Sequence, residues 1–225
     1  MRRSPKEIQR CLYEIAKTQE GFFTTKQAKA AGYAEATHPY HVQAGDWIRE
    51  HRGIYRLALF PLAERWDLML YWLWSRDRND VPQGIYSHQT ALSLYDLSDI
   101  NPAKLHMMVP KNFRRHSETP AILVLHRGEV LANEVAKRHG VPVTRPLRTI
   151  VDLLVADSVS EDILRQAIHE AWDRGLITNR ELETVAPPAR VRPIFDHLLQ
   201  IEQTQAAAWT YHRLRQVPIP KFPLE

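Results

Sequence analysis

The chain has 225 residues, of which 44% are hydrophobic and 25% are charged. These proportions are ordinary for a globular protein of one or two domains, and no run of about 18 apolar residues is present to cross a membrane. A single cysteine, Cys11, excludes an intramolecular disulfide, and the N-terminus lacks the apolar core of a signal peptide. We therefore expect a cytoplasmic protein.

The net charge of +4 is concentrated at one end of the chain. Residues 1–60 contain ten Lys and Arg against six Asp and Glu, whereas basic and acidic residues balance in residues 61–225. A basic segment favours a polyanionic partner, and a neutral remainder indicates a second task. We predict one domain at residues 1–60, a second at 61–188, and a C-terminal helical extension and tail at 189–225.

The first sixty residues predict three short helices followed by a β-hairpin. Ser4, Pro5 and Glu7 are typical of a helix start, because a capping hydroxyl, an early proline and an acidic residue all suit a helix N-terminus. Gly21 ends this helix, and Thr24 or Thr25 is expected to cap the next one. The second helix is expected at Lys26–Ala31, the third at about Thr37–Ala44, and the hairpin at Trp47–Leu57 with its turn near residues 51–53.

Beyond residue 60 the pattern predicts further helices and a few strands. Residues 62–75 are apolar around most of the helical circumference, which is typical of a central core helix. The other helices are expected at 87–94, 149–156, 161–174, 179–185 and about 193–215, and the strands at 104–109, 121–126 and 141–144. The predicted fold is therefore α+β and mainly helical: an N-terminal winged helix-turn-helix, then an α/β domain with a small sheet and C-terminal helices.

Three helices followed by a hairpin are the arrangement of a winged helix-turn-helix, whose recognition helix enters the major groove of DNA. Polar side chains at the start of that helix can read base edges, and arginines on the wing suit phosphates or the minor groove. Arg2, Arg3, Lys6, Lys29 and His51 are further candidates for contacts nearby. The predicted DNA-binding residues are Lys26, Thr37, His38, Tyr40, His41, Gln43, Arg49, Arg52 and Arg56.

A winged helix can instead serve only as a protein–protein module, with its arginines solvating an ordinary surface. The charge asymmetry and the polar recognition helix favour DNA over that alternative. No catalytic, metal or cofactor site is predicted. His38 and His41 lie about one helical turn apart, but no cysteine or well-spaced carboxylate completes a tetrahedral site. Ser87 and His88 are adjacent without a nucleophile elbow, and no Gly-rich phosphate-binding motif is present.

A second basic region lies inside the neutral part of the chain. Residues 104–148 contain nine Lys and Arg against three Asp and Glu, while the flanking stretches 61–103 and 149–225 each carry −3. This block is either a solvated face, a docking surface for an acidic protein, or a second contact to DNA. Its candidate partner-binding residues are Lys111, Arg114, Arg115, Lys137 and Arg138.

Four segments together resemble the AbiEi-like antitoxins of bacterial type IV toxin–antitoxin systems. Residues 21–28 (GFFTTKQA) resemble the family's helix-turn-helix opening, and residues 45–56 (GDWIREHRGIYR) resemble its wing. Residues 87–92 (SHQTAL) are similar to the start of its second domain, and residues 140–153 (GVPVTRPLRTIVDL) to its Arg-Thr and Asp-Leu segment. The resemblance covers roughly residues 5–185.

The resemblance implies a repressor-antitoxin without enzymatic activity. Its winged helix would bind inverted repeats at its own promoter, and its second domain would oppose a nucleotidyltransferase toxin. For Arg148, Thr149 and Asp152 we expect a structural role, as an Arg–Asp contact and a helix cap. The alternatives are a stand-alone winged-helix regulator with a ligand-sensing or dimerisation domain, and a nucleic-acid enzyme, which lacks a complete catalytic constellation here.

Overall fold

A computed structural model of the chain describes residues 4–115 and 118–200. The fold is α+β, as predicted. The helices are α1 (Pro5–Lys17), α2 (Thr25–Ala31), α3 (His38–Gln43), α4 (Trp66–Trp74), α5 (His88–Tyr95), α6 (Pro146–Ala156), α7 (Glu161–Asp173) and α8 (Asn179–Thr184). The strands are β1 (Phe22–Thr24), β2 (Trp47–His51), β3 (Ile54–Leu57), β4 (Ile85–Tyr86), β5 (Leu105–Val109), β6 (Leu123–Arg127), β7 (Val135–Arg138) and β8 (Val141–Thr144).

Residues 192–200 are also helical, at the start of the predicted helix 193–215. The remainder of that helix and the tail lie outside the described residues. In the described part of the chain, no helix is long and apolar enough to cross a membrane.

The chain divides into two compact units. The first contains Met1–Thr90 and Ala103–Thr144, and the second contains Ala91–Pro102 and Arg145–Glu225. The boundary predicted at residue 60 falls inside the first unit, so the division into domains at 1–60, 61–188 and 189–225 stays a prediction.

The first helices begin where the cap residues predict. The Ser4 hydroxyl accepts a hydrogen bond from Glu7 N (3.3 Å), and the Glu7 carboxylate accepts one from Ser4 N (2.6 Å). Thr24 rather than Thr25 caps α2, because its hydroxyl accepts from Gln27 N (3.2 Å). Such reciprocal caps satisfy backbone N–H groups that have no partner inside the helix.

A three-stranded antiparallel sheet, in the order β1-β3-β2, holds the predicted hairpin. Strand β1 was not predicted from the sequence. It pairs with β3 in the register Phe22↔Arg56, and β2 pairs with β3 in the register Trp47↔Leu57. A register shift between Arg49 and His51 marks a β-bulge in β2. The sheet and helices α1 and α2 enclose a core of Leu12, Ala16, Phe23, Ala28, Ala31, Trp47 and Tyr55.

A mixed five-stranded sheet completes the first unit, in the order β6-β5-β4-β8-β7. Strands β5 and β6 run parallel, as do β4 and β8, and the other pairs are antiparallel. The two-residue strand β4 and strand β7 were not predicted, since two to four residues give too little alternation to recognise. Helix α4 is shorter than predicted but buries Leu68, Met69, Leu70, Leu73 and Trp74.

The second unit contains helices α6, α7 and α8. Within α6, Arg148 Nε donates to Asp152 Oδ1 at 2.9 Å, which confirms the predicted Arg–Asp contact. The expected cap at Thr149 is wrong: α6 already begins at Pro146, and the Thr149 hydroxyl donates to the Arg145 carbonyl (3.0 Å). The core of this unit is apolar and includes Leu97, Ile150, Leu153, Leu164, Ile168, Phe195 and Leu198.

Candidate nucleic-acid interface

Helix α3 presents a polar face to solvent. Thr37 immediately precedes the helix, and Tyr40 and Gln43 follow at intervals of three residues, so the three side chains share one face. All three are exposed, and Tyr40 is 67% exposed. The Thr37 hydroxyl donates to the Ala34 carbonyl (2.7 Å), which holds its side chain at the entrance to the helix. This face offers donors and acceptors of the kind that read base edges.

His38 is not part of this face, contrary to its prediction as a DNA-binding residue. It is only 2% exposed and packs edge-on against Trp47 (5.2 Å between ring centroids) and Tyr55 (5.8 Å). Burial also lowers the pKa of His38, so the ring is neutral near pH 7. A helix of 3.6 residues per turn places one residue in each turn against the core, and here that residue is His38.

His41 occupies an intermediate position. Its ring stacks on Trp47 (4.7 Å, 24° between planes), and its Nδ1 lies 3.1 Å from Asp46 Oδ2. The side chain keeps 21% exposure, so it lies at the margin of the polar face rather than at its centre. Its visible role is to fix the end of α3 against the start of β2.

The β2–β3 hairpin, which is the predicted wing, has two exposed arginines, Arg49 on β2 and Arg52 in the turn. Gly53 follows with φ +70°, a conformation that side chains with a Cβ rarely adopt, so glycine suits this turn. Arg56 differs from the prediction. It is 8% exposed, and its Nε donates to Glu50 Oε1 at 2.8 Å, so it braces the hairpin and does not face solvent.

Two of the candidate lysines lie on α2, the helix that precedes α3 in the chain. Lys26 is exposed and donates a hydrogen bond to the Arg78 carbonyl, and Lys29 pairs with Glu35 at 2.9 Å. The Lys29 pair is exposed and therefore weak, so phosphate can compete for it. Lys6 is exposed on α1, whereas Arg2 and Arg3 lie outside the described residues.

His51 contributes no charge to the wing. Burial lowers its pKa, and the neighbouring cations Arg115, Arg76 and Arg49 lower it further, against a backbone hydrogen bond that raises it. The imidazole is therefore neutral near pH 7, and the positive charge of the wing belongs to its arginines.

The structure separates the residues of the predicted basic block. Lys111 and Arg114 are exposed in the segment after β5, whereas Lys137 and Arg138 lie on β7, and strands β4 and β8 lie between β5 and β7 in the sheet. Arg115 lies over the Trp74 ring (5.2 Å) and donates to the Arg76 carbonyl (2.8 Å). The five residues thus lie on two different elements of the sheet region, and their role in partner binding stays a prediction.

A histidine stack in the first unit was missed by the sequence analysis. The His88 ring lies 3.5 Å from that of His126 with 12° between planes, and His106 Nδ1 lies 3.0 Å from His126 Nε2. Burial, and then the neighbouring His106, lower the pKa of His126 to about 4. Ser87 Oγ lies 2.9 Å from His88 Nδ1, but both residues are buried, so this pair presents no nucleophile to solvent.

The stack carries no sequence signal, because its three members come from different elements. In residues 4–115 and 118–200, no group of three or more His, Cys, Asp or Glu side chains is arranged to hold a metal ion.

Residues 10–58, which contain α1 to β3, match a family model described as "Transcriptional regulator, AbiEi antitoxin". The resemblance to AbiEi-like antitoxins is thereby confirmed for this segment. No curated protein matches the chain. Among solved structures the chain is similar to the crystal structure of the RV2827C protein from Mycobacterium tuberculosis, with 14% identity over 86% of this chain and 82% of that chain, at a TM-score of 0.46.

Proposed function

We propose that residues 1–60 form a winged helix-turn-helix that binds duplex DNA. In this proposal α3 is the recognition helix, strands β2 and β3 form the wing, and the protein acts in the cytoplasm as a repressor of its own operon. The observation that carries the proposal is the exposure of two sets of side chains: the polar face of Thr37, Tyr40 and Gln43 on α3, and the cations Arg49 and Arg52 on the hairpin. The match of residues 10–58 to a transcriptional-regulator family supports it.

The division of labour within this surface follows from chemistry. Thr37, Tyr40 and Gln43 carry no charge but can donate and accept hydrogen bonds, so they suit base edges in the major groove. Arg49 and Arg52 are charged, project from a hairpin and suit the sugar-phosphate backbone. Arg56 and His38 support the surface from beneath, since both are buried.

The test is selection of duplexes from a random library, followed by binding measurements at several salt concentrations. We expect one selected sequence family, arranged as an inverted repeat, and an affinity that falls as salt rises because phosphate contacts release counterions. Gln43→Ala should relax the sequence preference. Arg49→Gln with Arg52→Gln should weaken binding to all sequences and reduce the salt slope by about 2, roughly 1 per contact.

Lys104→Gln with Arg180→Gln is the matched control, because it removes two exposed charges to which the interface assigns no role. Absence of any selected sequence, or affinity independent of salt, would contradict the proposal.

We also propose that the chain is an antitoxin that neutralises a nucleotidyltransferase toxin. The family description of the matched segment as an antitoxin supports this, and it implies a toxin partner. The experiment is co-expression of the full chain with a nucleotidyltransferase encoded beside it, scoring growth and promoter repression together.

The Arg49→Gln/Arg52→Gln variant separates the two activities. It should lose repression and still rescue growth, because neutralisation is proposed to use other surfaces. Loss of both activities by a variant that remains folded would contradict that separation.

A further inference from the structure

The wing turn is held by a loop that lies far away in sequence. The carbonyl of Gly53, at the tip of the wing, accepts hydrogen bonds from Thr25 N (3.1 Å) and from Arg76 Nη2 (3.1 Å). Arg76 in turn pairs through Nε with Asp80 (2.9 Å), with both side chains mostly buried. The loop at residues 76–83 therefore lies directly against the wing.

The same loop is tied to the start of α2. The Thr24 hydroxyl, which caps α2, also donates a hydrogen bond to Asp80, and Lys26 Nζ donates one to the Arg78 carbonyl. Arg78 itself is exposed. The backbone of Arg78 is thus held by the Lys26 side chain of α2, the helix that precedes the proposed recognition helix.

A third segment, residues 111–115, joins the loop from the five-stranded sheet. Arg115 Nη1 donates to the Arg76 carbonyl at 2.8 Å, and its guanidinium lies over Trp74. Arg127 Nη1 holds the backbone of this segment through the carbonyls of Lys111 (3.1 Å) and Phe113 (2.9 Å). Arg114 is the exposed neighbour of Arg115.

The buried and exposed arginines of these two segments have different roles. Arg76 and Arg115 are committed to internal contacts, and the pKa of each is lowered first by burial. Arg78 and Arg114 are exposed, and within residues 4–115 and 118–200 neither forms an ion pair with a carboxylate. The acidic residues in these segments are Asp77, whose carboxylate accepts from Asn79 N and Val81 N, and Asp80, which pairs with Arg76.

We propose that Arg78 and Arg114 extend the DNA-binding surface beyond the wing and contact the sugar-phosphate backbone of the duplex flanking the recognition site. The inference rests on the proposed function of residues 1–60 and adds two residues from outside that segment. The inference depends on a continuous series of contacts. Arg52 precedes Gly53 in the wing, Gly53 contacts Arg76 in the loop, and Arg76 contacts Arg115 in the sheet segment. We call these three adjoining segments, with residues 52–53, 76–83 and 111–115, the basic margin.

A phosphate backbone fits this margin better than an acidic protein does. Phosphate contacts need positioned cations, whereas a protein interface needs an apolar, desolvated centre. Val81, at 57% exposure, is the large apolar side chain that these segments expose, and one valine is too little for such a centre.

The experiment is hydroxyl-radical footprinting of the full chain on its selected duplex, with binding measured over a range of salt. Arg78→Gln with Arg114→Gln should lose protection of the backbone on one flank and keep protection at the centre. The affinity should fall roughly tenfold, and the salt slope should fall by about 2, since each phosphate contact contributes about 0.9. Lys104→Gln with Arg180→Gln should change neither.

Other outcomes overturn the proposal in distinguishable ways. The Arg78→Gln/Arg114→Gln variant could show an unchanged footprint and salt slope while the Arg49→Gln/Arg52→Gln variant binds more weakly. That result would exclude the extension of the DNA-binding surface and still support DNA binding by the winged helix. Unchanged DNA binding with reduced capture of an acidic protein would assign the margin to a protein partner. If the wild-type chain selects no duplex, both the proposed function and its extension fail.

Discussion

The exposure of single residues decides which of the predicted contacts are available on this protein. His38 is the clearest case, because this polar residue at the start of the proposed recognition helix is buried against Trp47 and Tyr55. Neither ring nitrogen has a hydrogen-bond partner among the described residues, so the ring serves as an aromatic filler. Unpartnered polar atoms in a core are costly, at about 1–3 kcal/mol each group.

We therefore predict that His38→Phe keeps DNA affinity and leaves the free energy of unfolding unchanged or increased. His38→Ala should lower that free energy by roughly 2–4 kcal/mol, because a cavity replaces a packed ring. Urea unfolding measures the stability, and fluorescence anisotropy measures the DNA affinity. A folded His38→Phe protein that no longer binds DNA would mean that His38 contacts DNA.

The histidine stack makes a second prediction at this scale, concerning pH. The pKa of His126 is lowered to about 4, so below pH 6.5 the unfolded chain binds a proton that the folded chain does not. The free energy of unfolding should therefore be highest above pH 6.5 and fall as the pH drops from 6.5 towards 4. Since one proton is involved, the slope is at most about 1.4 kcal/mol per pH unit, and solvent screening of the half-buried ring reduces the total change.

His126→Gln removes this titration, and urea unfolding at pH 7.5, 5.5 and 4.5 compares the two proteins. The variant should show the shallower dependence on pH over this range. If the free energy of unfolding depended on pH in the same way for both proteins, His126 would be excluded as the source of that dependence.

Among the elements, the hairpin of β2 and β3 depends on a buried ion pair. Arg56 and Glu50 have side-chain exposures of 10% and 17%, and Glu50 lies in the β-bulge, which directs it towards Arg56. Removing one partner of such a pair leaves an uncompensated buried charge, at about 3–5 kcal/mol.

We predict that Arg56→Met destabilises the protein by about 3 kcal/mol, and that adding Glu50→Leu restores most of the loss. Thermal unfolding measured by circular dichroism gives the stability, and DNA affinity is measured below the transition. A loss of affinity by the folded double variant, with stability restored, would mean that Arg56 contacts DNA after all.

The elements themselves were predictable where their signals are local. Ser4 and Glu7 mark the start of α1, and Gly53 marks the wing turn, because caps and turns are made by residues within about four positions of each other. Strand β1 was not predicted, since these three residues become a strand only by pairing with β3, 30 to 34 positions later. Its burial on all three residues also removes the alternation by which strands are recognised.

At the scale of the molecule, the segment that matches the family model makes contacts with residues that lie beyond its C-terminal end. Phe22 is fully buried and stacks against Trp66 at 6.3 Å, Thr24 donates to Asp80, and Arg76 holds the wing turn. The first compact unit accordingly runs past residue 60.

We predict that residues 1–60 alone are less stable than the same segment within the full chain, by several kcal/mol. Exposure of Phe22 contributes about 2 kcal/mol of this, and the lost hydrogen bonds to the loop at 76–83 contribute the rest. Calorimetry of the fragment and the full chain makes the comparison. A fragment that unfolds cooperatively at the temperature of the full chain would support an independent domain ending at residue 60.

The sequence by itself determined the α+β class, the starts of the first helices, the hairpin and the family resemblance at residues 10–58. Those features depend on short-range signals and on an overall pattern of apolar residues, which a linear sequence contains. Only the tertiary structure decided that His38 and Arg56 are buried, and that the loop containing Arg78 contacts the wing turn through Arg76. These depend on residues far away in sequence, because exposure and neighbourhood are set by what packs against a side chain.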